Sequence, residues 1–142
     1  MFPCELKDQP ARHTLTIRFQ SSIEGLPDHF EQVFATITAY LQEFAEQPAG
    51  SPFAIYHDMS AQPLDVEAGF PVAEEIPGKR EILAGEIPGG RYAICHYTGP
   101  ADQIGTAYQT LTQFAQENGL QPGGIAYEWY LSDSKIDLAF PV

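Results

Sequence analysis

The sequence predicts an α+β fold in which a β-α-β-β unit is used twice to form one antiparallel sheet. Strand-like alternation and helical spacing occur twice in the same order along the chain. In addition, two short segments recur after equivalent elements, which favours duplication. We place one domain over residues 1–142, with repeat one at about 11–72 and repeat two at about 78–142, and expect two long helices and a ligand cleft between the repeats. The recurring segments are Pro48-Ala49-Gly50 with Pro122-Gly123-Gly124, and Phe70-Pro71-Val72 with Phe140-Pro141-Val142.

The first half begins with a strand over 13–19, where apolar and polar residues alternate. A helix follows, because Pro27 suits the first turn and apolar residues recur at spacings of three and four. We expect it to run to about Glu46 and to stop before Pro48. Short strands are predicted over 53–57 and 66–72. The apolar stripe of the helix consists of Phe30, Val33, Phe34, Ile37, Leu41 and Phe44.

The second half repeats this order. A strand over 79–87 is expected to form a hairpin with a strand over 91–97, joined by a turn at Pro88-Gly89-Gly90. Thr98 or Asp102 is a candidate cap for the second helix, and Gly119 suits the left-handed residue just past its end. Strands are predicted over 125–131 and 136–142. The stripe of this helix consists of Ile104, Ala107, Tyr108, Leu111, Phe114 and Ala115.

Composition restricts the class of protein. The 142 residues include 7 basic and 19 acidic side chains, a net charge of −12. Such a surface repels phosphate backbones, so we expect no direct nucleic-acid binding. We expect no membrane partner, because the start lacks a signal peptide and no apolar run approaches a membrane span. Cys4 and Cys95 do not make a disulfide framework, which favours the cytoplasm.

Glu128 is the leading candidate for a binding residue. It lies in Tyr127-Glu128-Trp129-Tyr130, where strand alternation points Glu128 and Tyr130 to one face and their neighbours to the other. Its counterpart in the first repeat is Ala54, so the architecture does not require an acid there. A carboxylate among aromatic rings is costly to desolvate unless a cation arrives, and aromatic faces attract cations. The alternative is an ordinary solvent-facing glutamate on a half-exposed strand.

Aromatic side chains are the other candidates for the binding site. Tyr56 and Tyr130 are equivalent in the two repeats, so both are expected to face one cleft, although both would also suit packing against the helices. Each remaining aromatic has a core role as its alternative. The four histidines lack metal-ligand spacing, so no metal site and no cofactor are expected. The predicted ligand-binding residues are Glu128, Tyr56, Tyr130, Trp129, Phe70, Tyr92 and Tyr108.

Several segments, spread over nearly the whole chain, resemble one family. They are Leu26-Pro27, Pro48-x-Gly50-x-Pro52, Ile55-Tyr56-His57-Asp58, Val66-Glu67-Ala68-Gly69-Phe70-Pro71-Val72, Ile87-Pro88-Gly89-Gly90-Arg91-Tyr92-Ala93, His96-Tyr97-Thr98-Gly99-Pro100, Ala107-Tyr108, Tyr127-Glu128-Trp129-Tyr130 and Phe140-Pro141-Val142. With these segments the chain resembles the GyrI-like small-molecule-binding domains, also called AraC-type effector-binding domains.

This resemblance implies a duplicated β-α-β-β fold with a cleft between the repeats. It also implies that Glu128 matches the glutamate that anchors cationic, lipophilic ligands in the family, and that Tyr56 lines the same cleft. Two departures stand out. Only Ser132-Asp133-Ser134-Lys135 separates the Glu128 strand from the last one, which is shorter than usual. The chain also has no room for the helix-turn-helix domain that many relatives carry, so we expect a stand-alone form.

The sequence is compatible with three functions. The leading one is a non-enzymatic protein that senses or sequesters small cationic or aromatic molecules. A second is a protein-interaction module such as a gyrase modulator, for which the acidic pairs Glu74-Glu75 and Glu43-x-x-Glu46 are sparse. A third is hydrolysis of reactive small molecules, with Glu128 activating water. The sequence does not separate binding from hydrolysis, because both use the same carboxylate.

Overall fold

One antiparallel sheet with two helices makes up the fold. The computed structural model describes residues 2–58, 62–121 and 124–142, with Ala101 described by its backbone alone. Within these ranges eight strands pair in the order β1-β6-β8-β7-β3-β4-β2-β5. The elements are β1 Cys4–Gln9, β2 Arg12–Ser21, α1 Leu26–Gln42, β3 Phe53–Asp58, β4 Leu64–Pro71, β5 Leu83–Ile87, β6 Gly90–Thr98, a 3-10 turn Ala101–Gln103, α2 Gly105–Glu117, β7 Ala126–Ser132 and β8 Lys135–Pro141.

The predicted fold class is confirmed, and the centre of the sheet shows the duplication directly. Across β3 and β7, Ala54 pairs with Glu128, and the neighbouring pairs are Phe53 with Trp129 and Ile55 with Tyr127. The two positions that the repeat makes equivalent therefore pair with each other, as expected where a two-fold axis relates the halves. The repeat bounds 11–72 and 78–142 remain a prediction, and part of the Pro122-Gly123-Gly124 match lies outside the described residues.

The predicted hairpin between 79–87 and 91–97 is wrong. β5 pairs with β2, and β6 pairs with β1 and β8. The reason is that β1 occupies the edge of β6 that faces away from β8, so each half receives its outer strand from the other half. The sequence did not predict β1, because its residues are exposed or half-buried and follow no alternation.

Both helices lie on the same face of the sheet, one over each half. α1 packs on β2 and β4, whereas α2 packs mainly on β6 and β8, so β3 and β7 lie between the two helices. The predicted apolar stripes face the sheet, except for Phe44: six members are buried and five are half-buried against the core. The buried ones are Val33, Ile37, Leu41, Ala107, Leu111 and Ala115, and the half-buried ones are Phe30, Phe34, Ile104, Tyr108 and Phe114.

The helix ends differ from the prediction in two places. α1 stops at Gln42 rather than near Glu46, because Ala45 takes a left-handed φ of 55° and turns the chain. Phe44 consequently lies beyond the helix and is 42% exposed. α2 is preceded by a 3-10 turn and begins after Ile104 without a side-chain cap, so neither predicted cap serves. Gly119, with φ of 68°, ends α2 as predicted.

The sheet is covered by apolar side chains on both faces. The larger cluster lies under the helices, and a smaller one lies on the opposite face, which we call the back face; its members are Phe53, Ile55, Ile87, Tyr92, Ile94, Tyr127 and Ala139. β2 and β4 approach closely at Gly69, where a Cβ atom would lie 1.9 Å from the carbonyl oxygen of Leu15. No helix within the described ranges is long and apolar enough to cross a membrane.

Candidate ligand-binding site

Glu128 lies at the middle of the sheet, on the face that carries the helices. Strand alternation in β7 puts Ala126 and Tyr130 on this face with it, and both belong to the core under the helices. The side chain is only 6% exposed, and its partner across the strand pair is Ala54, which is fully buried. The alternative of a solvent-facing glutamate is therefore wrong, because the helices and their aromatic side chains cover this part of the strand.

Tyrosine hydroxyls surround the Glu128 carboxylate. Tyr108, on α2, donates a hydrogen bond to Oε2, and Tyr130 donates one to Oε1 at 2.7 Å. The hydroxyl of Tyr56 lies 3.5 Å from that of Tyr130, which extends the network onto β3. Three of the predicted aromatic residues thus converge on Glu128. We call Glu128, Tyr56, Tyr108 and Tyr130 the Glu128 cluster.

Burial controls the protonation of this cluster. Desolvation raises the pKa of Glu128, while hydrogen bonds from Tyr108, Tyr130 and Tyr56 act in the opposite direction. Burial and then the charge of Glu128 also raise the pKa of each of the three tyrosines. The phenols therefore remain neutral donors, and the carboxylate is the group in the cluster that can carry charge. Among the ion pairs of the described residues, none involves Glu128.

Further aromatic rings lie beside the cluster. The ring of Phe30, on α1, lies 5.7 Å from that of Tyr130, and Phe34 lies 5.3 Å from Phe70. Phe70 is therefore near the cluster but separated from it by rings of α1. The sequence placed Phe30 only in the helix core, although its position on the sheet-facing stripe was the available signal that it lies over β7.

The structure does not bring Tyr92 and Trp129 to this cluster. Both lie on the back face, Tyr92 in the smaller apolar cluster and Trp129 packed against it, because they alternate with inward-facing neighbours on β6 and β7. There they line a cavity of about 200 Å³ together with Tyr127 and Arg12. Their role in ligand binding remains a prediction, and it would concern this cavity rather than the Glu128 cluster.

The GyrI-like small molecule binding domain matches residues 2–142. The chain belongs to the GyrI-like family. Among curated proteins, the transcriptional regulator BrlR of Pseudomonas aeruginosa is 29% identical over 85 residues, covering 53% of this chain and 32% of BrlR. The chain thus spans about a third of the length of the curated relative that it matches.

Solved structures show the same GyrI-like fold. The C-terminal domain of EcmrR has a TM-score of 0.80 at 18% identity, covering 99% of this chain and 97% of that domain. SAV2435 bound to tetraphenylphosphonium has a TM-score of 0.70 at 9% identity, with 99% and 93% covered. A hydrolase from Listeria innocua has a TM-score of 0.73 at 12% identity, with 97% and 90% covered. At these identities the likeness concerns the fold alone.

Proposed function

We propose that this GyrI-like chain binds small cationic molecules with aromatic or lipophilic groups, and that Glu128 is the anchor. The observation that carries the proposal is a buried carboxylate whose hydrogen bonds all come from neutral phenols. A carboxylate removed from water is costly when no positive charge lies beside it. A cationic ligand supplies that charge, so part of the cost of burying Glu128 is offset only when such a ligand binds.

The rings around the carboxylate support the same ligand class. The rings of Phe30, on α1, and Tyr130 lie 5.7 Å apart, and aromatic faces attract cations by roughly 0.5–2 kcal/mol. Because Glu128 is 6% exposed, a ligand reaches it only when the surrounding side chains move, and Tyr108 on α2 is the donor that would be displaced from Oε2. The neighbour SAV2435 was solved with tetraphenylphosphonium, a lipophilic cation, which makes that compound a suitable first probe.

The test compares Glu128→Gln with the wild type by titration calorimetry. Tetraphenylphosphonium serves as the cation and triphenylphosphine oxide as a neutral ligand of related shape. Glutamine keeps the size and removes the charge, so cation binding should weaken by about 1–3 kcal/mol, or roughly 5- to 150-fold in Kd. Affinity for the neutral ligand should stay nearly unchanged.

A matched control separates local charge from net charge. Glu67→Gln removes one negative charge from β4, on the back face, where Glu67 accepts one hydrogen bond from Thr16 and contacts His57. It should leave cation binding close to that of the wild type. Equal binding of the cation by Glu128→Gln and wild type would falsify the electrostatic role. Equal weakening of both ligands would show that Glu128 only supports the strand.

Hydrolysis is a second candidate for the same site. Its support is the burial that raises the pKa of Glu128, since a carboxyl group with a raised pKa accepts and donates protons more effectively near neutral pH. Mass spectrometry of bound electrophilic compounds after incubation distinguishes the two candidates. If the protein only binds the compounds, they are recovered unchanged. If it hydrolyses them, the products have gained the mass of water, and Glu128→Gln stops their formation.

The remaining expectations stay predictions. A cytoplasmic location follows from the cysteine usage, with Cys4 and Cys95 both free thiols. The absence of direct nucleic-acid binding follows from the net charge of −12. A protein partner such as gyrase is a prediction of the same kind, and the acidic pairs Glu74-Glu75 and Glu43-x-x-Glu46 are sparse for it.

A further inference from the structure

We infer that the back face carries a second binding site, for a small aromatic carboxylate, with Arg12 as its anchor. The site is the cavity of about 200 Å³ beside Trp129, on the opposite side of the sheet from the Glu128 cluster. It therefore takes a ligand of opposite charge to the one proposed for Glu128. The side chains that define it are Arg12, Ile87, Tyr92, Ile94, Tyr127 and Trp129.

Arg12 is the cation in the lining of this cavity. Its guanidinium carbon lies 5.2 Å from the centre of the Trp129 ring. Within the described residues Arg12 forms no ion pair. Arg18, which is on the same strand as Arg12, pairs with Asp65 of β4 at 2.6 Å. In a chain with a net charge of −12, an arginine that is half-buried and lacks an acid is unusual.

The position of the Arg12 guanidinium is restricted on two sides. The ring of Trp129 lies on one side of it. Gly50 lies on another side, so close that a Cβ atom on Gly50 would be 2.7 Å from Nη2. A planar guanidinium offers paired N–H donors that match the two oxygens of a carboxylate. Because the guanidinium is already held in one place, less conformational entropy is lost when it binds a ligand. Its paired donors then favour a ligand with one carboxylate.

The rest of the cavity suits an aromatic ring. Tyr92 and Tyr127 meet edge to face at 5.7 Å, and Trp129 packs on Phe53 at 4.9 Å. A cavity of about 150 Å³ with apolar walls can hold a benzene ring, so the volume here accommodates one ring or a small fused pair. Asp137 is the acid in the lining, and its carboxylate is hydrogen-bonded by His96 at 2.8 Å. The negative charge of Asp137 repels anions, and it disfavours ligands with two or more negative charges most strongly.

The test uses benzoate as the probe and Trp129 as the reporter, since Trp129 is the single tryptophan of the chain. Benzoate should change the fluorescence of Trp129 in a saturable manner, and benzamide, its neutral analogue, should bind at least about fivefold more weakly. Arg12→Gln should weaken benzoate by about tenfold while leaving benzamide unchanged. Arg18→Gln removes a positive charge from the same strand and face and should change neither.

Two further variants keep the inference open to refutation. Arg12→Lys retains the charge but not the paired N–H donors, so it should bind benzoate with intermediate affinity. This variant replaces Arg12→Gln if Arg12→Gln fails to fold. Glu128→Gln should leave benzoate binding unchanged, so the result does not depend on the function proposed for Glu128. The inference is overturned if wild-type protein shows no saturable response, if benzamide binds as well as benzoate, or if both Arg12 variants retain wild-type affinity.

Discussion

The two halves of the sheet share a frame but differ in polarity at its centre. In the first half Ala54 lies on β3 and Phe34, on α1, packs 5.3 Å from Phe70. In the second half Glu128 lies on β7, and Tyr108, on α2, is 6.3 Å from Phe140. The two helical stripes follow one spacing, with Phe30, Val33, Phe34, Ile37 and Leu41 matching Ile104, Ala107, Tyr108, Leu111 and Ala115.

The difference between the halves consists of a matched pair of changes. At the position equivalent to Ala54 the second half has Glu128. At the position equivalent to Phe34 it has Tyr108, whose hydroxyl donates a hydrogen bond to Glu128. A buried acid without a donor would be strongly unfavourable, so the two polar groups depend on each other. Because the first half folds with an alanine and a phenylalanine at these positions, the frame does not need the polar pair. This favours a role in ligand binding rather than in folding.

The equivalence of the halves can be tested most strongly in their cores. Ile37 and Leu111 occupy matching positions, and both are fully buried. Ile37→Ala and Leu111→Ala should each lower the free energy of unfolding by about 2–5 kcal/mol, because each removes buried methyl groups and leaves a cavity. Urea unfolding measures the loss. A cost below about 1 kcal/mol for either variant would contradict the equivalent burial of the two helices.

The polar pair of the second half can be separated by Tyr108→Phe, which makes the position resemble Phe34. Loss of a hydrogen bond to a buried carboxylate should cost about 1.5–3 kcal/mol near neutral pH. Burial raises the pKa of Glu128 above its ordinary value of 4.5, and removing a donor raises it further. The extra cost should therefore be absent below pH 4.5, where Glu128 is protonated in both folded and unfolded chains, and should grow as pH rises through the raised pKa.

Tyr40→Phe is the matched control for that variant. The Tyr40 hydroxyl donates to the neutral carbonyl oxygen of Pro77 at 2.6 Å. Its removal should cost only about 0.5–1.5 kcal/mol, with no dependence on pH between 4 and 8. Unfolding curves at several pH values compare the two. If Tyr108→Phe loses the same stability at every pH, Glu128 does not carry charge in the folded protein.

The smallest expected effect concerns the back face of the second half. The imidazole of His96 contacts Glu5 at 2.6 Å and Asp137 at 2.8 Å, and hydrogen bonding to Glu5 and then to Asp137 raises the pKa of His96 above 6.5. A raised histidine pKa stabilises the fold fully below pH 6.5 and loses that contribution as pH rises through the raised value. The gain should stay below about 1 kcal/mol, since His96 is 40% exposed and solvent screens the pairs. His96→Gln should flatten this part of the stability–pH curve, and an unchanged slope would contradict the pairing.

The sequence by itself determined the fold class, the strands β2 to β8, with β5 shorter than the predicted strand over 79–87, and the apolar faces of both helices. These follow from local periodicity, which depends only on which side chains share a face. Glu128 could be singled out as a candidate, because the internal repeat makes it equivalent to Ala54 and alternation puts it on the same face as Tyr130. Which face of the sheet that is, buried or exposed, stayed open. The convergence of Tyr56 and Tyr130 follows from the same equivalence, since both strands lie at the centre of the duplicated sheet.

Only the tertiary structure decided the contacts between distant segments. The exchange of β1 and β5 between halves depends on which strand reaches an open edge, and alternation carries no information about partners. The hydrogen bond from Tyr108 to Glu128 depends on how α2 lies across the sheet. Likewise, Tyr92 and Trp129 meet Arg12 on the back face because β2, β6 and β7 curve together there, which a one-dimensional pattern cannot express.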